Sequence, residues 1–221
     1  MDVAVKDKYC QDNCTSIPVD VPQVHVAGGK VFVLCKRLID IFLSVLGLLI
    51  LWLPILLIAL LIRLDSPGPG FFVQERLGKG GKAFTMIKFR SMYTNAEVNG
   101  PQWAEKNDAR CTKLGKFLRK SRLDELPQLV NILKGDMSFV GPRPERGYFY
   151  DEFEKYIPHF RQRLLVKPGL TGLAQVNGGY ELKPEEKIVF DLEYISKRSF
   201  KMDISCIWKT IKVVFSHDGA R

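Results

Sequence analysis

The sequence predicts an α+β fold, mostly helical, with an N-terminal membrane helix, a small β-hairpin and amphipathic helices suited to a membrane interface. Three observations predict it. The stretch Ile41 to Ile62 is 22 residues long and holds no charged side chain. Two strand-like segments, FFVQERL and AFTMIKFRSM, flank the turn Gly78-Lys79-Gly80-Gly81. Beyond them, apolar residues recur at helical spacing between Gly and Pro stops.

Taken in order, residues 1–30 read as a flexible tail with Pro18, Pro22, Gly28 and Gly29 and little periodicity. The apolar stretch starts only after it and no small-residue cleavage site follows, which argues against a signal peptide. Residues 31–65 form the membrane segment. At ~1.5 Å per residue its uncharged run would just cross a hydrocarbon core of about 30 Å, so hydropathy alone fits a spanning helix. Two features favour a segment that dips in and returns to the same face. Pro54 removes a backbone hydrogen bond in mid-run. Cations also flank both ends, Lys36 and Arg37 before, Arg63, Arg76, Lys79 and Lys82 after, as on cytoplasmic flanks. The residues alone leave both topologies open.

Residues 66–221 then read as one soluble domain. Ser66-Pro67-Gly68-Pro69-Gly70 is a turn-rich exit into the hairpin. Residues 93–110 are polar and predict a surface loop, and Thr112 to Lys120 predicts a short basic helix. Asp124 to Leu133 predicts a helix with Leu126, Leu129, Val130 and Leu133 on one side and Gly135 as its stop. Glu145 onward is helical until Pro158, Pro168-Gly169-Leu170-Thr171-Gly172 is a tight loop, and Glu185 to Ser196 is helical. The last helix, Asp203 to Phe215, aligns Ile204, Ile207, Trp208, Ile211, Val214 and Phe215 on one face. That face suits a membrane interface or a protein core equally.

Composition narrows the function classes. With 46% hydrophobic and 26% charged residues, wholesale disorder is excluded. The formal charge of +9 suits an anionic partner: a membrane surface, a phosphorylated substrate or nucleic acid. Aromatic-basic stacking motifs are missing, so no nucleic-acid partner is expected. The five cysteines, Cys10, Cys14, Cys35, Cys111 and Cys206, are odd in number and scattered, which predicts reduced thiols in a cytoplasmic setting.

Residues able to do chemistry concentrate in KLGKFLRKSRLDELPQLVNILKGDMSFVGPRP, Lys113 to Pro144. Arg119, Lys120 and Arg122 precede the adjacent acids Asp124 and Glu125; Asp136 follows, then Arg143 between Pro142 and Pro144. The acids have a structural reading, since Ser121-x-x-Asp124 fits a capping box and acids complement a helix N-terminus. They also have a chemical one. A carboxylate can attack phosphorus and form an acyl-phosphate, while its neighbour holds a Mg²⁺ that neutralises a diphosphate. Arg and Lys around them would clamp phosphate oxygens.

LDELPQLVNILKGDMSFVGPRPE followed by VKPGLTGLAQVNG resembles the monotopic phosphoglycosyl transferases, the bacterial sugar transferase family, from about Lys36 to Phe215. The resemblance implies transfer of a sugar-1-phosphate from a UDP-sugar to undecaprenyl phosphate at the bacterial cytoplasmic membrane, with the catalytic domain on the cytoplasmic face. It implies Asp124 as the nucleophile that releases UMP, Glu125 as the Mg²⁺ ligand, and Arg143 as a phosphate binder. Lys88, Arg122 and Asp191 become further substrate-side positions. Lys36, Arg37, Asp40, Leu53 and Pro54 become parts of the membrane anchor, which in that family is a re-entrant helix broken at a proline.

Two departures stand out. The break is Leu53-Pro54 where the family often has Ser-Pro, so Ser44 or water would have to satisfy the freed backbone groups. Leu173 stands where the family usually shows Trp. No series of spanning helices precedes the domain, so the chain resembles the small, catalytic-only form. A homodimer is left open. Two rivals remain: a non-catalytic scaffold binding anionic lipid, and a transferase that moves the sugar alone and releases UDP.

Overall fold

A computed structural model describes residues 21–98, 100, 108–178 and 182–216. Its first helix, α1 (Lys30–Asp65), is 36 residues long and helical throughout, Pro54 included. Among the described residues it is the one helix long and apolar enough to cross a membrane. The hairpin follows, β1 (Phe71–Leu77) against β2 (Ala83–Phe89), antiparallel with Phe71 opposite Phe89 and Leu77 opposite Ala83. Gly80 at φ 70° and Gly81 at φ 76° close its turn in the left-handed region, where a side chain would be strained.

Helix α2 (Lys113–Lys120) is capped by Thr112, whose hydroxyl accepts from the Gly115 amide at 2.9 Å. The expected Asp124–Leu133 helix is two pieces: a 3₁₀ helix, Leu123–Gln128, and then α3 (Leu129–Lys134) ending at Gly135 in the left-handed conformation. Pro127 lies inside the 3₁₀ piece and cannot donate to an α-helical ladder, so the chain tightens there. The remaining elements are β3 (Ser138–Val140), α4 (Gly147–Glu154), a 3₁₀ helix Phe160–Leu165, β4 (Gly169–Thr171), α5 (Leu173–Val176), α6 (Pro184–Lys197) and α7 (Phe200–Ser216).

Two further expectations are corrected. The loop Pro168 to Gly172 contains strand β4, parallel to β3 with Ser138 opposite Gly169 and Val140 opposite Thr171. Glycine is needed where the strands meet: a Cβ on Gly169 would fall on the Gly141 amide, and one on Gly172 on the Gly141 carbonyl. Strands of three residues are too short to show alternation. The tail is not loose where it is described. Val21 is buried in the core, the Val24 amide donates to Gln162 Oε1 at 2.8 Å, and the Ala27 amide donates to the Ile195 carbonyl at 3.0 Å. An extended strap bound by long-range partners leaves no periodic signal. Cys10 and Cys14 lie outside the described residues, and Cys35, Cys111 and Cys206 are free thiols.

Helix α1 lies along the domain. Leu48 and Leu51 pack on Met86, Leu129, Ile132 and Met137, while Ile55, Ile58, Ala59 and Ile62 pack on Phe89 and Leu118. A third core gathers Val140, Tyr150, Ile157, Phe160, Ile188 and Tyr194 beneath α4, α6 and α7. The other sides of α1 stay exposed, among them Phe42, Leu49, Trp52, Leu56 and Leu60. So long a band of exposed apolar surface exceeds what singly scattered surface residues give.

Candidate active site

The acids are placed by the turn after α2. Ser121 does not cap Asp124; its hydroxyl donates back to the Phe117 and Leu118 carbonyls at 2.9 and 3.2 Å. Arg122 instead takes a left-handed conformation, φ 56°, and its carbonyl accepts from the Glu125 amide at 3.2 Å. The capping box is thus corrected: a strained Arg122 reverses the chain, and such strain gathers at functional sites. Asp124 and Glu125 are 8% and 6% exposed, which rules out ordinary solvated first-turn acids.

Glu125 is held by two cations. Its Oε1 accepts from Arg143 Nη2 at 2.6 Å and from Lys88 Nζ on β2 at 3.2 Å. Burial pushes its pKa up, but Arg143 and Lys88 outweigh burial and hold it well below the usual carboxylate range. Asp124 goes the other way: burial, then the Glu125 charge, raises it to about 6. Two neighbouring carboxyls are thereby split, one held as an anion and one raised toward its neutral form.

Asp124 lines a cavity of about 480 Å³ together with Lys88, Arg122, Gln128 and Arg143. Ten of the lining residues are Arg or Lys, against three Asp or Glu, and Phe71, Phe72 and Phe149 add aromatic wall. Such a cavity suits a polyanion carrying a flat ring. The loop read as plain surface contributes Tyr93, Thr94, Glu97 and Arg110 to this wall.

Asp191 does not line the cavity. It sits behind it, 1% exposed, with Oδ2 accepting from Arg163 Nε at 2.6 Å. Arg163, 2% exposed, donates through Nη2 to the Arg143 carbonyl at 3.0 Å. Asp191 therefore reaches the site through Arg163 and the backbone of Arg143. Asp136 lies 3.3 Å from Asn131 Nδ2, away from the cavity. Three contributors had weak sequence signals. Arg163 looks like a surface charge in RQRLL. Asn131 stitches α3 to β2, accepting from the Ile87 amide at 3.0 Å and donating to the Thr85 carbonyl at 2.7 Å. Lys187, four residues before Asp191 on α6, shares its helix face; it lines the cavity, and burial pushes it down to about 8.

Lys36, Arg37 and Asp40 dock α1 onto the domain, whereas Leu53 is 48% exposed and Pro54 lies inside the unbroken helix. Lys36 Nζ meets Asp203 Oδ2 at 2.6 Å, and Arg37 donates to the Ile132 and Leu133 carbonyls at 2.6 and 2.7 Å, at the negative end of α3. Asp40 Oδ1 accepts from the Ser138 hydroxyl at 3.2 Å and the Phe139 amide at 3.1 Å. At the far end Arg90 donates to the Ile62, Ser66 and Pro67 carbonyls. Ser44, expected to help at Leu53-Pro54, is fully buried and its hydroxyl has no partner among the described residues. Neither does the Nε2 of Gln128, although Gln128 lines the cavity at 2% exposure.

No group of three or more His, Cys, Asp or Glu forms a metal cage among the described residues. A Mg²⁺ shared with substrate phosphates needs only one or two carboxylates. Both bonds to Glu125 fall on Oε1, leaving Oε2 as a donor for such an ion.

Known proteins match most of the chain. It is 43% identical over 196 residues to the UDP-N-acetylgalactosamine-undecaprenyl-phosphate N-acetylgalactosaminephosphotransferase of Aeromonas hydrophila, covering 87% of this chain and 46% of that protein. It is 46% identical over 199 residues to the UDP-glucose:undecaprenyl-phosphate glucose-1-phosphate transferase of Xanthomonas campestris pv. campestris, covering 87% and 41%. The chain thus spans about half the length of these two relatives. A third, the exopolysaccharide production protein PSS of Rhizobium leguminosarum bv. phaseoli, is 44% identical over 188 residues, covering 80% of this chain and 92% of that protein. The sequence profile described as Bacterial sugar transferase matches residues 31–217. With the carboxyl pair and its arginines inside the matched stretch, the chain belongs to the bacterial sugar transferase family.

Proposed function

We propose that this protein transfers a sugar-1-phosphate from a UDP-sugar to undecaprenyl phosphate through a covalent aspartyl intermediate, as a membrane step of exopolysaccharide, capsule, O-antigen or glycoprotein glycan assembly. The observation that carries the reading is buried Asp124 on the wall of an arginine-rich cavity, next to a Glu125 that Arg143 and Lys88 hold as an anion. Ionised Asp124 attacks the β-phosphorus of the donor; a P–O bond to its carboxylate forms, the diphosphate P–O bond breaks, and UMP leaves with the bonding electrons. A lipid phosphate oxygen then attacks the same phosphorus, the bond to Asp124 breaks, and the carboxylate is restored. One diphosphate replaces another, so no co-reactant is needed. Arg143 and Lys88 fix Glu125 in the free protein and lie within reach of donor phosphates. Glu125 would hold Mg²⁺ through Oε2, where the ion supplies neutralisation of diphosphate charge.

The same reading places α1 in one leaflet of the bacterial cytoplasmic membrane, with the catalytic domain on the cytoplasmic face. Supporting it, Arg37 and Asp40 near the start of the helix and Ile62 near its end are bonded to one and the same domain. A helix crossing the bilayer would carry those ends to opposite faces.

The test incubates the protein, in detergent or a nanodisc, with a panel of UDP-sugars and undecaprenyl phosphate, and identifies the released nucleotide. The expected products are UMP and, without acceptor, a phospho-sugar adduct on the protein that Asp124→Asn abolishes. Release of UDP would mean that only the sugar moves. Lipid binding with no nucleotide release would leave a scaffold. Full activity in Asp124→Asn would overturn the assignment of the nucleophile.

A further inference from the structure

The 3₁₀ turn that carries the acids has a second open side. Asp124 and Gln128 line the arginine-rich cavity, whereas Leu123, Glu125, Leu126 and Leu129 line a separate groove of about 250 Å³. Leu170 and Val176 form its opposite wall, and Arg122 and Gln175 line both spaces, so the two meet at the carboxyl pair.

The chemistry of the groove differs from that of the cavity. Arg122 is its one cation and Glu125 its one anion; the other lining residues are apolar, hydroxylic or the amide of Gln175. A nucleotide diphosphate has no use for such walls. A long hydrocarbon attached to a phosphate does, because each buried methylene adds to affinity while the phosphate keeps its cation. The surroundings point the same way. Leu129 stands against Gly47 of α1, where a Cβ would lie 3.1 Å from its Cδ1. Thr210 and Val213 bring in α7, whose outer face exposes Ile204, Trp208 and Ile211. The groove thus lies between the two elements that present exposed apolar surface.

We infer that this groove seats the first isoprene units of the polyprenyl phosphate acceptor, with its phosphate at Arg122 beside the carboxyl pair and its chain leaving between α1 and α7. The inference rests on the transferase reading above and adds where the acceptor lies. Donor and acceptor then use different walls around one phosphorus, and filling the groove separates their half-reactions.

The test compares wild type with Val176→Phe and Val176→Trp. In the variants, the stoichiometric UMP burst without acceptor is expected to persist, while the KM for undecaprenyl phosphate rises ~10-fold or more. The wild-type preference for long over short prenyl phosphates should flatten. As a measurement independent of variant folding, a polyprenyl phosphate with a photoreactive group in its first isoprene units should label wild-type peptides spanning 123–129 or 170–176. An unchanged acceptor KM, a burst lost in parallel with turnover, or labelling confined to the Phe71, Phe72 and Phe149 side would overturn the groove while leaving the transferase reading intact. A wild-type protein that releases no UMP from any UDP-sugar would overturn both.

Discussion

Under the proposed mechanism, burial of Asp124 trades stability against reactivity. Its pKa of about 6 exceeds the ordinary 3.8 because the anion is desolvated and sits beside Glu125. The first half-reaction is therefore expected to rise with pH through about 6 and level off above it, measured as burst rate against pH. A carboxyl whose pKa is raised by folding favours the native state at low pH and loses that contribution as pH climbs through its folded value. Asp124→Asn, which carries no charge, should therefore be more stable than wild type at pH 8, by as much as ~2–3 kcal/mol. The gain should shrink as pH falls toward 4, read as the difference in Tm across the series. Arg163 and Asp191 make the opposite case. Both side chains are 1% exposed, so Arg163→Leu strands a buried carboxylate and should cost ~3–5 kcal/mol. The double variant Arg163→Leu with Asp191→Leu should cost less than Arg163→Leu alone; a cost equal to the sum of the two singles would contradict pairing.

At the level of elements, backbone proximity explains several glycines. A Cβ at Gly115 of α2 would overlap the Ser91 carbonyl oxygen, a backbone atom that cannot swing aside. Gly115→Ala is therefore expected to push α2 from the hairpin exit, cost ~1–3 kcal/mol and lower activity through the displaced Arg119 and Arg122, as chemical denaturation and burst amplitude would show. Helix α7 resolves the ambiguity of its apolar face by using two faces. Asp203, Cys206 and Ile207 turn to the core, Asp203 accepting from the Tyr194 hydroxyl at 2.8 Å, while Ile204, Trp208 and Ile211 turn outward.

For the whole molecule, the proposed function raises the question of how one long helix and one domain would share a membrane. Both ends of α1 are fastened to the domain while Phe42, Leu49, Leu56 and Leu60 stay exposed, so under the proposed function bilayer depth and site geometry would be set together. Lys30→Cys and Asp65→Cys, each in a chain with its five cysteines replaced by Ser, should both react with an impermeant thiol reagent from the cytoplasmic face. Reaction from opposite faces would establish a spanning helix.

Local pattern made much of this protein legible. The uncharged run, the hairpin with its glycine turn and the helices around Thr112, Glu185 and Asp203 depend on near neighbours, and so does the crowding of Asp124, Glu125 and Arg143 into one short stretch. Long-range contacts left no such trace. Arg163 and Asp191 are 28 positions apart, and neither announces a link to Arg143. The strap over residues 21–29 has no period, and β3 and β4 are too short to alternate. Residues 123–134 could be read as one amphipathic helix. Only packing shows a 3₁₀ turn standing between a cationic cavity and an apolar groove, because burial and the neighbouring charges, which split the two carboxyls, belong to the folded chain rather than to any segment of it.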